Sequence, residues 1–131
     1  MIVPPAVVAE LAEGRALGMN LPDLTLFNWV TVRRPVSELA VPLVTSLGPG
    51  ETEALMLALE SGKEVVVLDD GLGRRVAETL GLRLKGTLGL LLDAKQAGLI
   101  PTVGPLLDQL DVLRFRVAPH TRTAVLKLAG E

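Results

Sequence analysis

The sequence predicts an α/β fold with a small parallel sheet, on three observations. Segments 29–32, 65–68 and 82–84 have strand character and alternate with helical segments. The run Val65-Val66-Val67-Leu68 is continuous and mostly β-branched, the pattern of a strand covered on both faces. It ends in Asp69-Asp70-Gly71, and open α/β sheets place ligands beyond the carboxyl ends of their strands.

The elements follow in order. Pro4 and Pro5 suit the first turn of a helix, where a missing N–H costs little. Val7, Val8, Leu11 and Ala12 form its apolar stripe, Glu10 sits beside that stripe, and Gly14 or Gly18 ends the helix. Residues 19–28 read as an irregular connection. Trp29-Val30-Thr31-Val32 reads as a strand, stopped by Pro35. Ser37 is placed to cap a short helix through Leu39, interrupted at Pro42, and Gly48-Pro49-Gly50 reads as a break. A largely buried helix is expected over 51–61, stopped by Gly62. After the strand at Val65, a helix over 72–80 sets Leu72, Val76 and Leu80 on one face. Leu82-Arg83-Leu84 is a short strand. Thr87 is placed to cap a helix over 88–97, closed by Gly98. A helix over 105–113 turns Leu106, Leu107 and Leu110 inward. Residues 115–117 read as extended, and a last helix starts at Pro119 or Thr121 and runs through Leu128.

Composition narrows the class. The 131 residues suit one domain, 1–131, with a real core. Hydrophobic residues at 49% against 21% charged exclude a disordered chain. Aromatics at 2% require an aliphatic core. The absence of cysteine excludes disulfides, thiolate metal sites and thiol catalysis, and a reducing cytoplasm is the natural setting. No apolar run reaches the ~20 residues that span a bilayer, so no membrane role is expected. The amino end has no basic leader, so no signal peptide is expected. The net charge of −2 argues against a general nucleic-acid coat. The high apolar fraction points to a homo-oligomer surface.

Few residues are candidates for chemistry. Asp70 suits the cap of the next helix with Asp69 in solvent; the alternative is a divalent-metal site, since hard cations take carboxylate oxygens. Glu51 and Glu53 suit a helix amino end electrostatically; the alternative needs that end to face the Asp69-Asp70 crevice. Glu10 alone reads as a solvated flank, and Arg74-Arg75 as a solvated helix face. His120 is the single histidine, which leaves a catalytic triad unsupported. Gly48-Pro49-Gly50 lacks the Lys-Ser/Thr ending of a phosphate loop, and Gly71-Leu72-Gly73 is too short for a dinucleotide fingerprint.

An ordered set of motifs resembles one group of PIN-like proteins, similar to the VapC-type toxin ribonucleases. The set is Val3-Pro4-Pro5-Ala6-Val7-Val8-Ala9-Glu10-Leu11, Leu47 through Leu55, Val67-Leu68-Asp69-Asp70 with Arg74-Arg75-Val76-Ala77, Gly81-Leu82, Gly86-Thr87-Leu88-Gly89 and the closing Gly130-Glu131. The resemblance spans nearly the whole chain and implies a three-layer α/β/α domain. It implies a metal-dependent ribonuclease in which acidic residues hold Mg²⁺ or Mn²⁺ and RNA phosphodiesters are hydrolysed. It also implies a toxin role with a small antitoxin as partner.

Carried over by position, Glu10 matches the second family acid. Glu53 matches the acid opening the middle helix, ahead of Glu51. Asp70, or Asp69, matches the acid at the strand end, and Thr87 a polar residue near the same crevice. A PIN domain opens on a strand carrying its first Asp, yet no Asp precedes Asp23 here. The expectation is therefore an N-terminally truncated domain without its central strand, the gap filled by a second chain or a rearranged segment. The other reading is a catalytically inactive remnant acting as an interaction module.

Overall fold

The computed structural model describes residues 1–36 and 46–131. Its elements in chain order are β1 (Ile2–Val3), α1 (Pro5–Ala16), a 3-10 turn (Leu24–Leu26), β2 (Thr31–Val32), α2 (Pro49–Ser61), β3 (Val65–Val67), α3 (Gly71–Thr79), β4 (Arg83–Lys85), α4 (Thr87–Gln96), α5 (Gly104–Val112) and α6 (Pro119–Leu128). The strands make two small parallel sheets, β1 with β2 and β3 with β4. In the first sheet Ile2 lies opposite Thr31 and Val3 opposite Val32. This is the α/β class that the alternation of strands and helices predicts. The expected cap at Ser37, the helix to Leu39 and the interruption at Pro42 lie outside the described residues. The chain divides into two compact units, Met1–Leu84 and Lys85–Glu131.

In the first unit, α1 starts with Pro5 at its first helical position, and α2 does the same with Pro49. Gly48-Pro49-Gly50 is therefore a helix start, with Gly48 as the cap, and not the break expected from composition. Proline fits there because the first-turn N–H groups have no intrahelical partner anyway. α2 ends where Gly62 takes the left-handed conformation, φ 66°. Its Leu55 and Ala58 pack with Val66, Leu68 and Ala77 into an aliphatic core. Phe27 and Trp29 stay outside it, meeting as a tilted pair on the surface with ring centres 5.4 Å apart.

Two burial expectations change. β3 is covered on one face only, with Val66 buried and Val65 and Val67 exposed at 44% and 49%. A continuous apolar run does not reveal how many neighbours its strand has. On α3 the buried positions are Gly73 and Ala77, while Leu80 is exposed. Small residues let the helix backbone approach the core, and a Cβ on Gly73 would stand 2.6 Å from Leu68 Cδ2. The strand expected over 29–32 is limited to Thr31–Val32.

In the second unit, Gly86 rather than Thr87 holds the cap position of α4, so Thr87 opens the helix itself. Residues 115–117 form no strand. Val103, Leu107 and Val125 make a second aliphatic core, joined by Leu88, Leu92 and Leu126. Arg122 of α6 ties to α5 through Asp108 at 2.5 Å and Asp111 at 3.5 Å. Glu131 closes the unit. Its Oε2 accepts from Lys95 Nζ at 2.9 Å and from the Val103 N–H at 2.7 Å, and its Oε1 accepts from the Gly104 N–H at 3.1 Å.

These donors, Lys95 first, lower the Glu131 pKa from its ordinary 4.5 to about 2. A carboxyl with a depressed folded pKa stabilises fully above its unfolded pKa, and loses that contribution as pH falls through the folded value. Thermal melts should therefore show stability from this group intact above pH 4.5 and declining toward pH 2. Glu131→Gln should melt lower at neutral pH and lack that part of the acid decline. An identical acid profile in the variant would refute the assignment.

Candidate functional site

The acidic candidates of the first unit gather at helix starts. α1 and α2 pack against one another. The α1 cap residue is Pro4 and the α2 cap residue is Gly48, and neither supplies a side-chain acceptor. Each helix is served by the other. Glu53 of α2 accepts the Ala6 N–H on Oε2 at 2.8 Å, in the first turn of α1. Glu10 of α1 accepts the Gly50 N–H on Oε1 at 2.9 Å, in the first turn of α2. Both bonds are partly buried, where an unsatisfied N–H would cost about 1–3 kcal/mol. The two glutamates are thus brought to adjoining helix ends by a reciprocal pair of caps.

Gly50 makes this approach possible. A Cβ there would stand 2.7 Å from Glu10 Oε2 and 3.0 Å from Val7 Cγ2. Glu51, the second choice for the middle acid, serves its own helix: its carboxylate folds back over Gly48, where a Cβ would collide with Oε2.

The strand-end acids sit at the start of α3. Asp70 is its cap, with Oδ2 accepting the Gly73 N–H at 2.7 Å. Asp69 precedes it and is exposed. Arg74 joins them from the next turn, donating from Nη1 to the Leu68 carbonyl at 3.1 Å. That bond fixes a guanidinium beside the carboxyl end of β3, where the sequence predicts a solvated helix face. The available signal was spacing, since Arg74 lies one helical turn past the cap residue Asp70. Thr87 belongs to the second unit, at the first position of α4. His120 is exposed near the start of α6.

Comparison with known proteins adds one decisive observation. A family model described as a PIN domain matches residues 1–131. The chain belongs to the PIN domain family. No curated protein and no solved structure matches it. As a PIN domain the chain is of a nuclease type, and PIN domains are generally dependent on divalent metals.

The carboxylate oxygens of this PIN domain suit a hard divalent cation by donor type. Their assembly is another matter. Among the described residues, no three His, Asp or Glu side chains form a group able to hold a metal ion. Glu10, Glu53 and Asp70 instead each commit one oxygen to a helix N–H. Among the described residues, no helix is long and apolar enough to cross a membrane.

A double-mutant cycle tests the crossed caps. Gly→Ala inside a helix normally stabilises by roughly 0.5–1 kcal/mol. Gly50→Ala should instead destabilise by about 1 kcal/mol in urea unfolding, because the new Cβ displaces the Glu10 carboxylate. In a Glu10→Ala background the same change should turn neutral or stabilising. Equal effects in both backgrounds would contradict the arrangement.

Proposed function

We propose that this PIN domain is a metal-dependent ribonuclease that hydrolyses RNA phosphodiester bonds, with Glu10, Glu53, Asp69 and Asp70 as its acidic residues and Mg²⁺ or Mn²⁺ as its cation. The observation that supports this best is the convergence of Glu10 and Glu53 on the paired starts of α1 and α2. Two acids distant in sequence each reach the first turn of the other's helix, and each gives one oxygen to a backbone N–H there. Arg74, anchored at the end of β3, is suited to bind a phosphate oxygen by a charge-assisted hydrogen bond. The continuous family match over 1–131 supports treating the chain as one domain. We further propose a toxin role with a small antitoxin as partner, in the cytoplasm. Exposed Leu17, Leu26 and Leu113 support a homo-oligomer.

A second reading has its own observation. Glu10, Glu53 and Asp70 all serve as helix caps, which is the work such residues would do in an inactive PIN-like interaction module.

Calorimetric titration with Mn²⁺ separates the two. The nuclease reading expects saturable binding by the wild-type chain, lost in the Glu53→Gln/Asp70→Asn double variant with its helical circular dichroism retained. It also expects Mn²⁺-dependent cleavage of single-stranded RNA by the wild type. Absence of binding at millimolar Mn²⁺, or unchanged binding in the double variant, would overturn it in favour of the interaction module.

A further inference from the structure

We propose that Arg114, Phe115 and Arg116 form a contact for single-stranded RNA, a proposal that rests on the ribonuclease reading for the nature of its ligand. The observation behind it is a backbone one. Among the described residues, each α-helix is followed closely by a residue at positive φ. After α1, α2, α3, α4 and α6 that residue is glycine: Gly18, Gly62, Gly81, Gly98 and Gly130. After α5 it is Arg114, at φ 62°, the one non-glycine at positive φ among the described residues. The closure of α5 is otherwise ordinary. The Arg114 N–H donates to the Asp111 carbonyl at 3.0 Å, and the Phe115 N–H to the Leu110 carbonyl at 2.9 Å. Gly98 and Leu99 make the matching bonds after α4, to the Lys95 carbonyl at 3.0 Å and the Ala94 carbonyl at 2.9 Å. Glycine would close α5 with less strain, because a side chain crowds the backbone at positive φ.

Strain of this kind points to a role for the side chain that causes it. The Arg114 side chain is exposed and has no ion-pair partner among the described residues, so nothing within the chain offsets the strain. Arg116 is likewise exposed and unpaired among them. The nearest acids before them, Asp108 and Asp111, are both engaged by Arg122. Residues 112–117 thus carry two uncompensated arginines and no acid, in a chain of net charge −2. Phe115 stands between the arginines and is only half-buried. A planar guanidinium takes a phosphate through two charge-assisted hydrogen bonds. An aromatic ring offers a stacking face to an unpaired base. Phosphates with exposed bases are what a single strand presents together. An acidic polypeptide would use the arginines and leave the ring without a partner.

The probe is a fluorescein-labelled oligouridylate of about ten nucleotides, titrated into the full chain by anisotropy in EDTA, so that binding is read without cleavage. Saturable binding is expected. Arg114→Gly should weaken it about fivefold and lower the slope of log affinity against log salt by about 0.7, the loss of one phosphate contact to a single strand. The same variant should melt a few degrees higher, because glycine relieves the positive φ. Lys63→Ala, which removes one exposed positive charge elsewhere, should leave affinity and salt slope unchanged. An abasic strand of equal length should bind about tenfold more weakly than the oligouridylate, for want of stacking. Absence of binding by the wild type, unchanged affinity in Arg114→Gly, or a lower melting temperature in that variant would overturn the proposal. Equal binding of the abasic strand would also overturn it, and equal competition by polyglutamate would assign the site to an acidic polypeptide. Mn²⁺ binding and RNA cleavage that persist while Arg114→Gly changes nothing would sink this proposal alone. RNA binding that depends on Arg114 in a chain that binds no Mn²⁺ would sink the nuclease reading alone.

Discussion

The first unit depends on two N–H groups that their own helices cannot satisfy. Ala6 and Gly50 stand in the first turns of α1 and α2, where backbone donors lack intrahelical acceptors. With Pro4 and Gly48 as caps, neither helix has a local side chain to supply one. Glu53 and Glu10 solve both problems at once, each reaching across to the other helix. A cap of this kind is worth about 0.5–2 kcal/mol, and a carboxylate at a helix amino end also gains from the helix dipole. Two such contacts in opposite directions fix how α1 lies along α2. That in turn sets α2 for its burial of Leu55 and Ala58 in the core with Val66 and Leu68.

The second unit repeats the device. α5 begins after Val103, which has no polar side chain, and Glu131 provides the carboxylate from far along the chain. Three helices with apolar or glycine caps are thus completed by remote glutamates. Local capping is used at Asp70, and at Asp23, where the Thr25 hydroxyl and N–H lower the carboxyl pKa. Carboxylates are a principal means by which this chain starts its helices. The architectural and chemical roles of Glu10 and Glu53 compete for the same oxygens. A cation at these residues would share them with the backbone or draw them away, so metal affinity and helix packing are linked through the same two side chains.

Much of the fold was legible because it is written locally. Proline at Pro5 and Pro119, glycine at Gly62 and the apolar periodicities place the helices. Asp70 as a helix cap follows from its position before Gly71. What was not legible depends on partners distant in sequence. The number of neighbours beside β3 decides whether Val65 and Val67 are covered, and no feature of the run itself encodes it. The inward face of α3 is Gly73 and Ala77 because close approach to the core favours small residues there over the leucine row. Gly48-Pro49-Gly50 reads as a break until Glu10 is seen at Gly50. Glu10 stands out only through the resemblance, since neither spacing nor periodicity connects it to Glu53.

Amide hydrogen exchange at Ala6 and Gly50 tests the crossed capping most directly. First-turn amides of a helix are ordinarily unprotected, so protection there reports an acceptor outside the helix. Both amides should be protected in the wild-type chain. Glu53→Ala should release Ala6 and leave Gly50 slow, and Glu10→Ala should do the reverse. Fast exchange at both amides in the wild type would contradict the account.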